Sequence, residues 1–248
     1  AQAVAGVDTL MDYCVQCLPA PNQMGTVTGV DPTSDTEITW QQSAEENLSA
    51  LVYKTMADPY VGRLTLFRVY SGVLESDSQV YNSTRQIDER IGQVFLIKGK
   101  EQIPVDSVVA GDLAAVAKLQ ETTTGDTLCS KNTPIKLPTV DFPTPSLIMA
   151  IQPKTKGDEE KIATGLNRLQ EEDPTFTVTR ITETGQTVVA GMGDMHLEIA
   201  ASRLASKFGV EVELSIPKVP YKETIKGKAD VEGRHKKQSG GRGQYGHV

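Results

Sequence analysis

Residues 141–217 carry the pattern that most restricts the fold of this chain. Helical and β-rich segments alternate there in the order β-α-β-β-α-β. Such a split β-α-β arrangement packs two helices against one face of a four-stranded sheet. The pattern therefore predicts a ferredoxin-like α+β sandwich over residues 141–217. Its predicted elements are Leu147–Ile151, Asp158–Leu169, Phe176–Ile181, Thr187–Ala190, Asp194–Phe208 and Val210–Leu214.

Residues 22–140 show a different pattern, in which short β-rich runs follow one another without a long helix. Turn-forming pairs such as Gly111-Asp112 and Gly125-Asp126 separate these runs. Many short strands at this spacing are typical of a closed barrel or a sandwich, and we predict a small β-barrel. The predicted strands are Leu48–Lys54, Arg63–Tyr70, Gly72–Leu74, Gln79–Asn82, Gly92–Lys98, Ser107–Val109 and Leu113–Leu119.

The two ends of the chain add further pieces to a multidomain architecture. Residues 4–18 read as an amphipathic helix that stops at Pro19, because proline removes a backbone donor and crowds the preceding turn. A lone helix cannot bury its apolar face, so we expect residues 1–21 to belong to a preceding domain. Residues 218–248 begin a new segment whose pattern is incomplete at Val248. We interpret this segment as the truncated start of a further α+β domain.

Composition is that of an ordinary globular protein, with 38% hydrophobic and 23% charged residues among 248. No apolar run approaches the roughly 20 residues of a membrane span, and no signal-peptide pattern opens the chain. We therefore expect a cytoplasmic protein without a membrane partner. The chain begins at Ala1, which suggests an excised or processed piece.

Three cysteines are candidates for a metal or redox site. Cys14 and Cys17 form a C-x-x-C pair, but a zinc site needs a second ligand pair, and only Cys129 and three scattered histidines remain. A thioredoxin-like motif needs a strand before it, whereas this pair lies in a helical apolar pattern. We interpret Cys14 and Cys17 as two buried packing residues, and we expect no metal.

Charge is distributed unevenly along the chain. The net charge is −7, yet residues 218–248 contain eight Lys and Arg against three Asp and Glu. The strongest local signal is the run 236–247, which has four glycines within seven residues. Basic side chains in this run suit phosphate, and Tyr245 offers a ring for base stacking. The alternatives are an RNA contact or a flexible loop between strands.

Catalytic motifs are scarce in this sequence. It contains no G-x-x-x-x-G-K-[ST] phosphate loop, so we expect the chain neither to bind nor to hydrolyse GTP. Gly191-Met192-Gly193 precedes a helix and is better explained by close helix–sheet packing than by an anion site. His196 in that helix reads as a packed or hydrogen-bonded residue. Glu172 and Asp173 read as a solvated face, and no catalytic residue is predicted.

Several motifs together resemble the elongation factor G family of translational GTPases. The run Lys237–Val248 resembles the opening of the fourth domain, and Ala190–Ile199 resembles the third domain. Asp58–Gly72 and Thr123–Leu128 resemble the second-domain barrel, and Leu18–Pro21 resembles the exit from the GTPase domain. The similarity runs along the whole chain in the family's order. Asp194-Met195 and Lys98–Glu101 depart from the usual family pattern.

The resemblance implies a domain assignment and a function. Residues 1–21 would be the last helix of the GTPase domain, 22–140 the second domain, 141–217 the third, and 218–248 the start of the fourth. The whole protein would promote GTP-driven translocation of tRNA and mRNA on the ribosome, with GTP and Mg²⁺ as its cofactors and its own GTPase domain as a partner in cis. The fragment itself would hold no cofactor, and we expect a monomer.

The resemblance also implies roles for individual residues. The barrel would dock on small-subunit RNA, and the tip of the fourth domain would enter the decoding centre beside tRNA and mRNA. His196 would lie near the interdomain pocket targeted by fusidic acid. The predicted RNA- and ribosome-contacting residues are Arg63, Arg68, Lys236, Lys237, Gln238, Ser239, Gly240, Gly241, Arg242, Gly243 and Tyr245.

Alternative functions remain open at the level of sequence. One is an elongation-factor-G-like or ribosome-recycling paralogue, which the Lys98–Glu101 departure leaves possible. Another is a free-standing RNA-binding protein without GTPase function, against which the orphan helix and the incomplete final pattern argue. A redox or zinc module on Cys14 and Cys17 is the weakest alternative.

Overall fold

The fold is described from a computed structural model, which covers residues 5–58, 62–155, 157–238 and 240–248. Two compact units are present, Ala1–Pro217 and Lys218–Val248. Within the described residues, no helix combines the length and the apolar character needed to cross a bilayer.

The first helix, α1 (Val7–Cys17), is followed by a short 3₁₀ turn at Pro21–Gln23. None of its residues is buried, and Leu10 and Val15 are largely exposed. The interpretation of Cys14 and Cys17 as buried residues is therefore wrong: Cys17 is exposed and Cys14 is only partly buried. The physical reason is that the apolar face of α1 packs against no core formed by the described residues. Assignment of residues 1–21 to a GTPase domain stays a prediction.

The described residues between 26 and 129 form twelve antiparallel strands. Eight of them form one sheet in the order β7-β6-β12-β3-β4-β11-β8-β9, while β1 pairs with β2 and β5 pairs with β10. The strands are β1 Thr26–Val30, β2 Glu37–Gln41, β3 Ser49–Asp58, β4 Gly62–Ser71, β5 Val73–Glu75, β6 Gln79–Asn82, β7 Ile87–Arg90, β8 Val94–Lys98, β9 Glu101–Val105, β10 Ser107–Val109, β11 Leu113–Ala117 and β12 Thr127–Cys129.

Most of these strands surround a main hydrophobic core, which confirms the predicted small β-barrel. Phe67, Val69 and Leu128 are fully buried there, and Leu74 and Val108 are nearly so. Strands of the eight-stranded sheet and the β5–β10 pair both contribute to this cluster, so the two sheets together enclose it. Five strands, β1, β2, β7, β9 and β12, were not predicted. All five are short, with three to five residues each, and such brief runs contain too few residues for apolar periodicity to be recognised.

The ferredoxin-like domain is also confirmed. The strand order of its antiparallel sheet is β14-β15-β13-β16, so the first strand lies in the middle and the last strand lies at an edge. The two helices pack against each other and against the same core as the sheet. The elements are β13 Leu147–Pro153, α2 Glu159–Glu172, β14 Thr177–Ile181, β15 Gln186–Gly191, α3 Asp194–Phe208 and β16 Val212–Ser215.

Close packing in this domain depends on glycine at two positions. A β-carbon on Gly165 in α2 would lie 2.7 Å from the side chain of Leu204 in α3. A β-carbon on Gly191 would lie 2.8 Å from Leu197, which agrees with the packing interpretation of that residue. Gly193 has open space around its α-carbon, so packing does not require glycine there.

The described residues of the second unit form one β-hairpin. Its strands are β17 (Arg234–Lys237) and β18 (Gln244–His247), and every residue of both strands is exposed. The sequence predicted extended segments at Tyr221–Lys226 and Ala229–His235. Of these, only Arg234 and His235 lie in a strand, because polar and glycine-rich residues between 218 and 233 provide no apolar alternation to pair.

Candidate functional sites

The hairpin sorts its side chains onto two faces. Lys236 lies directly opposite Tyr245, and Arg234 lies opposite His247. Because directly paired residues of an antiparallel ladder share a face, these four side chains form one surface. Lys237 is opposite Gln244, and both lie on the other face. The predicted contacts Lys236 and Tyr245 are thus brought together, whereas Lys237 is separated from them.

Two contacts involve the surface formed by Arg234, Lys236, Tyr245 and His247, which we call the Tyr245 face. The Arg234 guanidinium lies 5.8 Å from the centroid of the Tyr245 ring, within cation–π range. His247 Nε2 lies 2.5 Å from Glu232 Oε1. Sequence reasoning missed Arg234 and His247 as site residues. A signal for them was present in the sequence. Arg234 is two positions before Lys236 and His247 is two positions after Tyr245, so in a strand each lies on the same face as a predicted contact residue.

The loop between β17 and β18 contains the predicted glycine-rich tip. Gly240 and Gly241 have φ angles of 92° and 96°, which side-chain-bearing residues rarely adopt. Arg242 and Gly243 follow and are exposed, as is Gln238 before them. Ser239 lies outside the described residues. The loop therefore presents a backbone without side-chain bulk beside the basic residues of the strands.

The two predicted barrel contacts, Arg63 and Arg68, are both half-buried on β4. Arg63 donates hydrogen bonds to the main-chain carbonyls of Leu119 and Gln120, so its guanidinium holds the 119–120 backbone. Arg68 lies with its guanidinium 5.1 Å from the centroid of the Tyr70 ring. Arg68 Nε is buried and makes no hydrogen bond to any described residue. Their role in RNA contact stays a prediction.

His196 lies in the first turn of α3 and is hydrogen-bonded through both ring nitrogens. The main-chain N–H of Met192 donates to Nδ1 at 3.0 Å, and Nε2 lies 3.0 Å from Asp173 Oδ2. Because Nδ1 accepts, the ring hydrogen resides on Nε2, which donates to the Asp173 carboxylate. The Phe176 ring packs beside the imidazole, with 6.1 Å between centroids. The contacts hold the start of α3 against the segment that follows α2.

Asp173 is a partly buried, hydrogen-bonded carboxylate rather than a solvated residue beyond a helix. Burial raises the pKa of Asp173, but the hydroxyl and N–H of Thr175, together with His196, lower it below its ordinary value of 3.8. Glu172 beside it pairs with Lys207 at 2.8 Å, with only 11% of its side chain exposed. The interpretation of Glu172 and Asp173 as a solvated face is therefore wrong, because α3 folds back beside the end of α2.

A cavity of about 380 Å³ joins this network to the barrel. Strand β3 contributes one wall and the ends of α2 and α3 contribute the other. Its charged groups are of both signs, so the cavity suits a polar or amphipathic ligand better than a purely apolar one. The lining residues are Lys54, Thr55, Met56, Glu172, Asp173, Arg203 and Lys207.

Three family models match successive parts of this chain. Residues 47–131 match elongation factor G domain 2, residues 142–216 match elongation factor G domain III, and residues 217–248 match elongation factor G domain IV. The chain belongs to the elongation factor G family. The order of the three matches agrees with the fold, in which a barrel precedes a ferredoxin-like domain.

A solved structure extends this likeness to nearly the whole chain. The crystal structure of ttk003000868 from Thermus thermophilus is 32% identical, matches with a TM-score of 0.70, and aligns over 98% of this chain. The alignment covers 34% of that protein, so this member of the elongation factor G family spans about a third of its relative's length.

The described parts of the chain hold no group of three or more His, Cys, Asp or Glu side chains arranged to bind a metal ion. The buried cysteine, Cys129, is not a reactive thiol. Burial raises its pKa, which keeps the thiol protonated and unreactive.

Proposed function

We propose that this chain is the ribosome-contacting middle part of a translation elongation factor that, as a whole protein, promotes GTP-driven translocation of tRNA and mRNA. The observation that carries the proposal is the Tyr245 face of the hairpin, where Arg234 and Lys236 flank an exposed ring beside a glycine-rich loop. Membership in the elongation factor G family supports the choice of the ribosome as partner. GTP and Mg²⁺ are assigned to the whole protein, and no residue of this chain is assigned to hold them.

The chemistry of the hairpin suits single-stranded or loop RNA. Lysine and arginine neutralise phosphates, and an aromatic ring stacks on an unpaired base whatever its sequence. Gly240 and Gly241 let the backbone approach RNA more closely than side-chain-bearing residues would. The hairpin would therefore hold tRNA and mRNA at the decoding centre by shape and charge rather than by reading bases.

The His196 network would have a different part in the same function. It links the start of α3 to the end of α2, next to the cavity that borders β3. A rearrangement driven by GTP hydrolysis in the whole protein would pass through such a junction between the second and third domains. We infer that fusidic acid binds at this junction, with His196 and Asp173 as polar neighbours.

Ribosome co-sedimentation tests the proposal with the chain as it stands. The test variant carries Lys236→Gln, Lys237→Gln and Arg242→Gln. A matched control carries Lys222→Gln, Lys226→Gln and Lys228→Gln, which remove three charges from exposed positions of the same unit. Binding is measured between 50 and 200 mM salt, roughly the range over which phosphate contacts are weakened most visibly.

We expect the test variant to bind about tenfold more weakly than the unmodified chain. The slope of the logarithm of the binding constant against the logarithm of the salt concentration should become less steep by about two. The control should stay within about twofold. Tyr245→Leu should weaken binding about fivefold or more, whereas Tyr221→Leu should not. If the chain does not sediment with ribosomes at low salt, or if test and control weaken equally, the proposal is wrong.

A further inference from the structure

A groove of about 480 Å³ lies between α3 and β16 in the ferredoxin-like domain. Its floor consists of half-buried apolar side chains at the edge of the sheet, including Val212 and Leu214. Leu197 and Ala201 of α3 form its wall, and the exposed carboxylates of Asp194 and Glu198, one helical turn apart, form its rim. We call this the β16 groove. It combines an apolar floor with acidic side chains above it.

The backbone beside the groove is also open. Strand β16 is the last in the strand order β14-β15-β13-β16, so among the described residues it pairs with β13 on one side only. The main-chain N–H of Lys154 donates to the carbonyl of Glu211, which makes this a hydrogen-bonded pair. In an antiparallel ladder such pairs alternate, so Val212 and Leu214 turn their N–H and C=O groups outward. A further strand would hydrogen-bond to these two residues.

Side-chain alternation along β16 determines what such a strand would carry. Val212 and Leu214 face the helices, while Glu211 and Glu213 lie on the opposite face and are exposed. Glu211 pairs with Lys154 at 3.1 Å at the surface. A complementary strand therefore places apolar residues beside Val212 and Leu214 and basic residues beside the glutamates. The acidic rim of the groove likewise favours positively charged residues in the partner.

We propose that the β16 edge and groove bind an extended segment of a basic protein partner, in which apolar residues alternate with lysine or arginine. A second copy of this chain is a poor occupant. Pairing two β16 edges would bring Glu211 and Glu213 of both copies onto one face, where like charges repel. The site shares no residue with the RNA-contacting hairpin, so the two proposals fail independently.

The probe is a fluorescein-labelled peptide, acetyl-Lys-Val-Lys-Val-Lys-Val-amide, followed by fluorescence anisotropy. A second peptide replaces each lysine by glutamate. Glu213→Lys reverses the charge on the exposed face of β16, and Glu183→Lys makes the same change on the exposed β14–β15 turn. Both positions are at the surface, so both variants should fold, which far-UV circular dichroism checks.

We expect Glu213→Lys to weaken binding of the lysine peptide about tenfold and to favour the glutamate peptide. Glu183→Lys should change neither affinity by more than about twofold. Amide hydrogen exchange should slow at Val212 and Leu214 on peptide binding, while the Glu213 amide, directed towards β13, should change little.

Three outcomes would overturn the proposal. One is peptide binding that leaves exchange at Val212 and Leu214 unaltered. Another is an unchanged peptide preference in Glu213→Lys. The third is a free chain that sediments as a dimer with both amides protected, which would assign the edge to a second copy of the chain.

Discussion

Replacing Glu89 by alanine should destabilise the barrel by about 2–4 kcal/mol, because this side chain holds the backbone that precedes β12. Glu89 is 7% exposed. Its Oε1 accepts three hydrogen bonds at 2.9 Å, from the N–H groups of Glu121 and Thr122 and from the Thr122 hydroxyl. A fourth donor, the N–H of Gln120, lies 3.4 Å from Oε2.

The magnitude follows from which donors can reach water once the carboxylate is removed. Gln120 and Glu121 are exposed, whereas Thr122 is 0% exposed and would keep two buried donors without an acceptor. Each unsatisfied buried donor costs about 1–3 kcal/mol, and part of this is offset because a charged group no longer has to be buried. Glu89→Gln keeps an oxygen at the Oε1 position, where three of the four bonds end, and should cost about 1 kcal/mol or less.

Urea unfolding measures these differences through the single tryptophan, Trp40, which packs partly buried against the barrel. Glu121→Ala is the control, because it removes an exposed carboxylate from the neighbouring loop. The midpoint should fall in the order control, Glu89→Gln, Glu89→Ala, with an unchanged m-value. Equal shifts for Glu89→Ala and Glu89→Gln, or a shift for Glu89→Ala no larger than the control's, would refute the hydrogen-bond reasoning.

Other perturbations test separate parts of the structure. Gly72→Ala should cost about 2 kcal/mol or more in urea unfolding, because φ is +74° and the new β-carbon would lie 2.6 Å from the Leu48 nitrogen. Gly99→Ala, also at positive φ but in open space, should cost only about 1 kcal/mol. The pKa of Asp173 is lower in the folded chain than its ordinary 3.8, so its carboxylate contributes stability above that pH, which is lost as the pH falls through the folded value. In thermal unfolding measured against pH, Asp173→Asn should therefore make the fall in Tm below about pH 4 less steep. An equally steep fall in Tm in the variant would contradict this role of Asp173. Leu204→Ala should cost about 2–5 kcal/mol, because Leu204 of α3 is 0% exposed and packs against α2 in the core of this domain, and a loss under about 1 kcal/mol would contradict this packing.

Much of the ferredoxin-like domain could be predicted from the sequence because its signals are local. The bounds of α3 are as predicted, since Asp194 opens the helix and Gly209, at φ +68°, ends it. Strands β6 and β10 were also predicted at their observed bounds. Five barrel strands were missed because each has only three to five residues, too few for apolar alternation to stand out. Of these, β12 also depends on distant partners, since it pairs with β3 and β6.

The candidate sites divide in the same way. The basic, glycine-rich run 236–247 is contiguous, so its chemistry could be predicted from the sequence, although the separation of Lys236 from Lys237 required the register of the hairpin. The pairing of His196 with Asp173 joins residues that are 23 positions apart. No periodicity connects them, and only the return of α3 past the end of α2 brings the two together.

By itself, the sequence determined the order of the domains, the bounds of α3 and the charge of the final hairpin. These properties depend on residues within a few positions of one another, where dihedral preference, capping and alternation act. Tertiary structure alone decided the exposure of Cys17, the hydrogen-bonded role of Arg63, the Glu89 loop anchor and the open edge of β16. Each of these depends on which distant segments meet, and that is decided by burial of a shared core rather than by local preference.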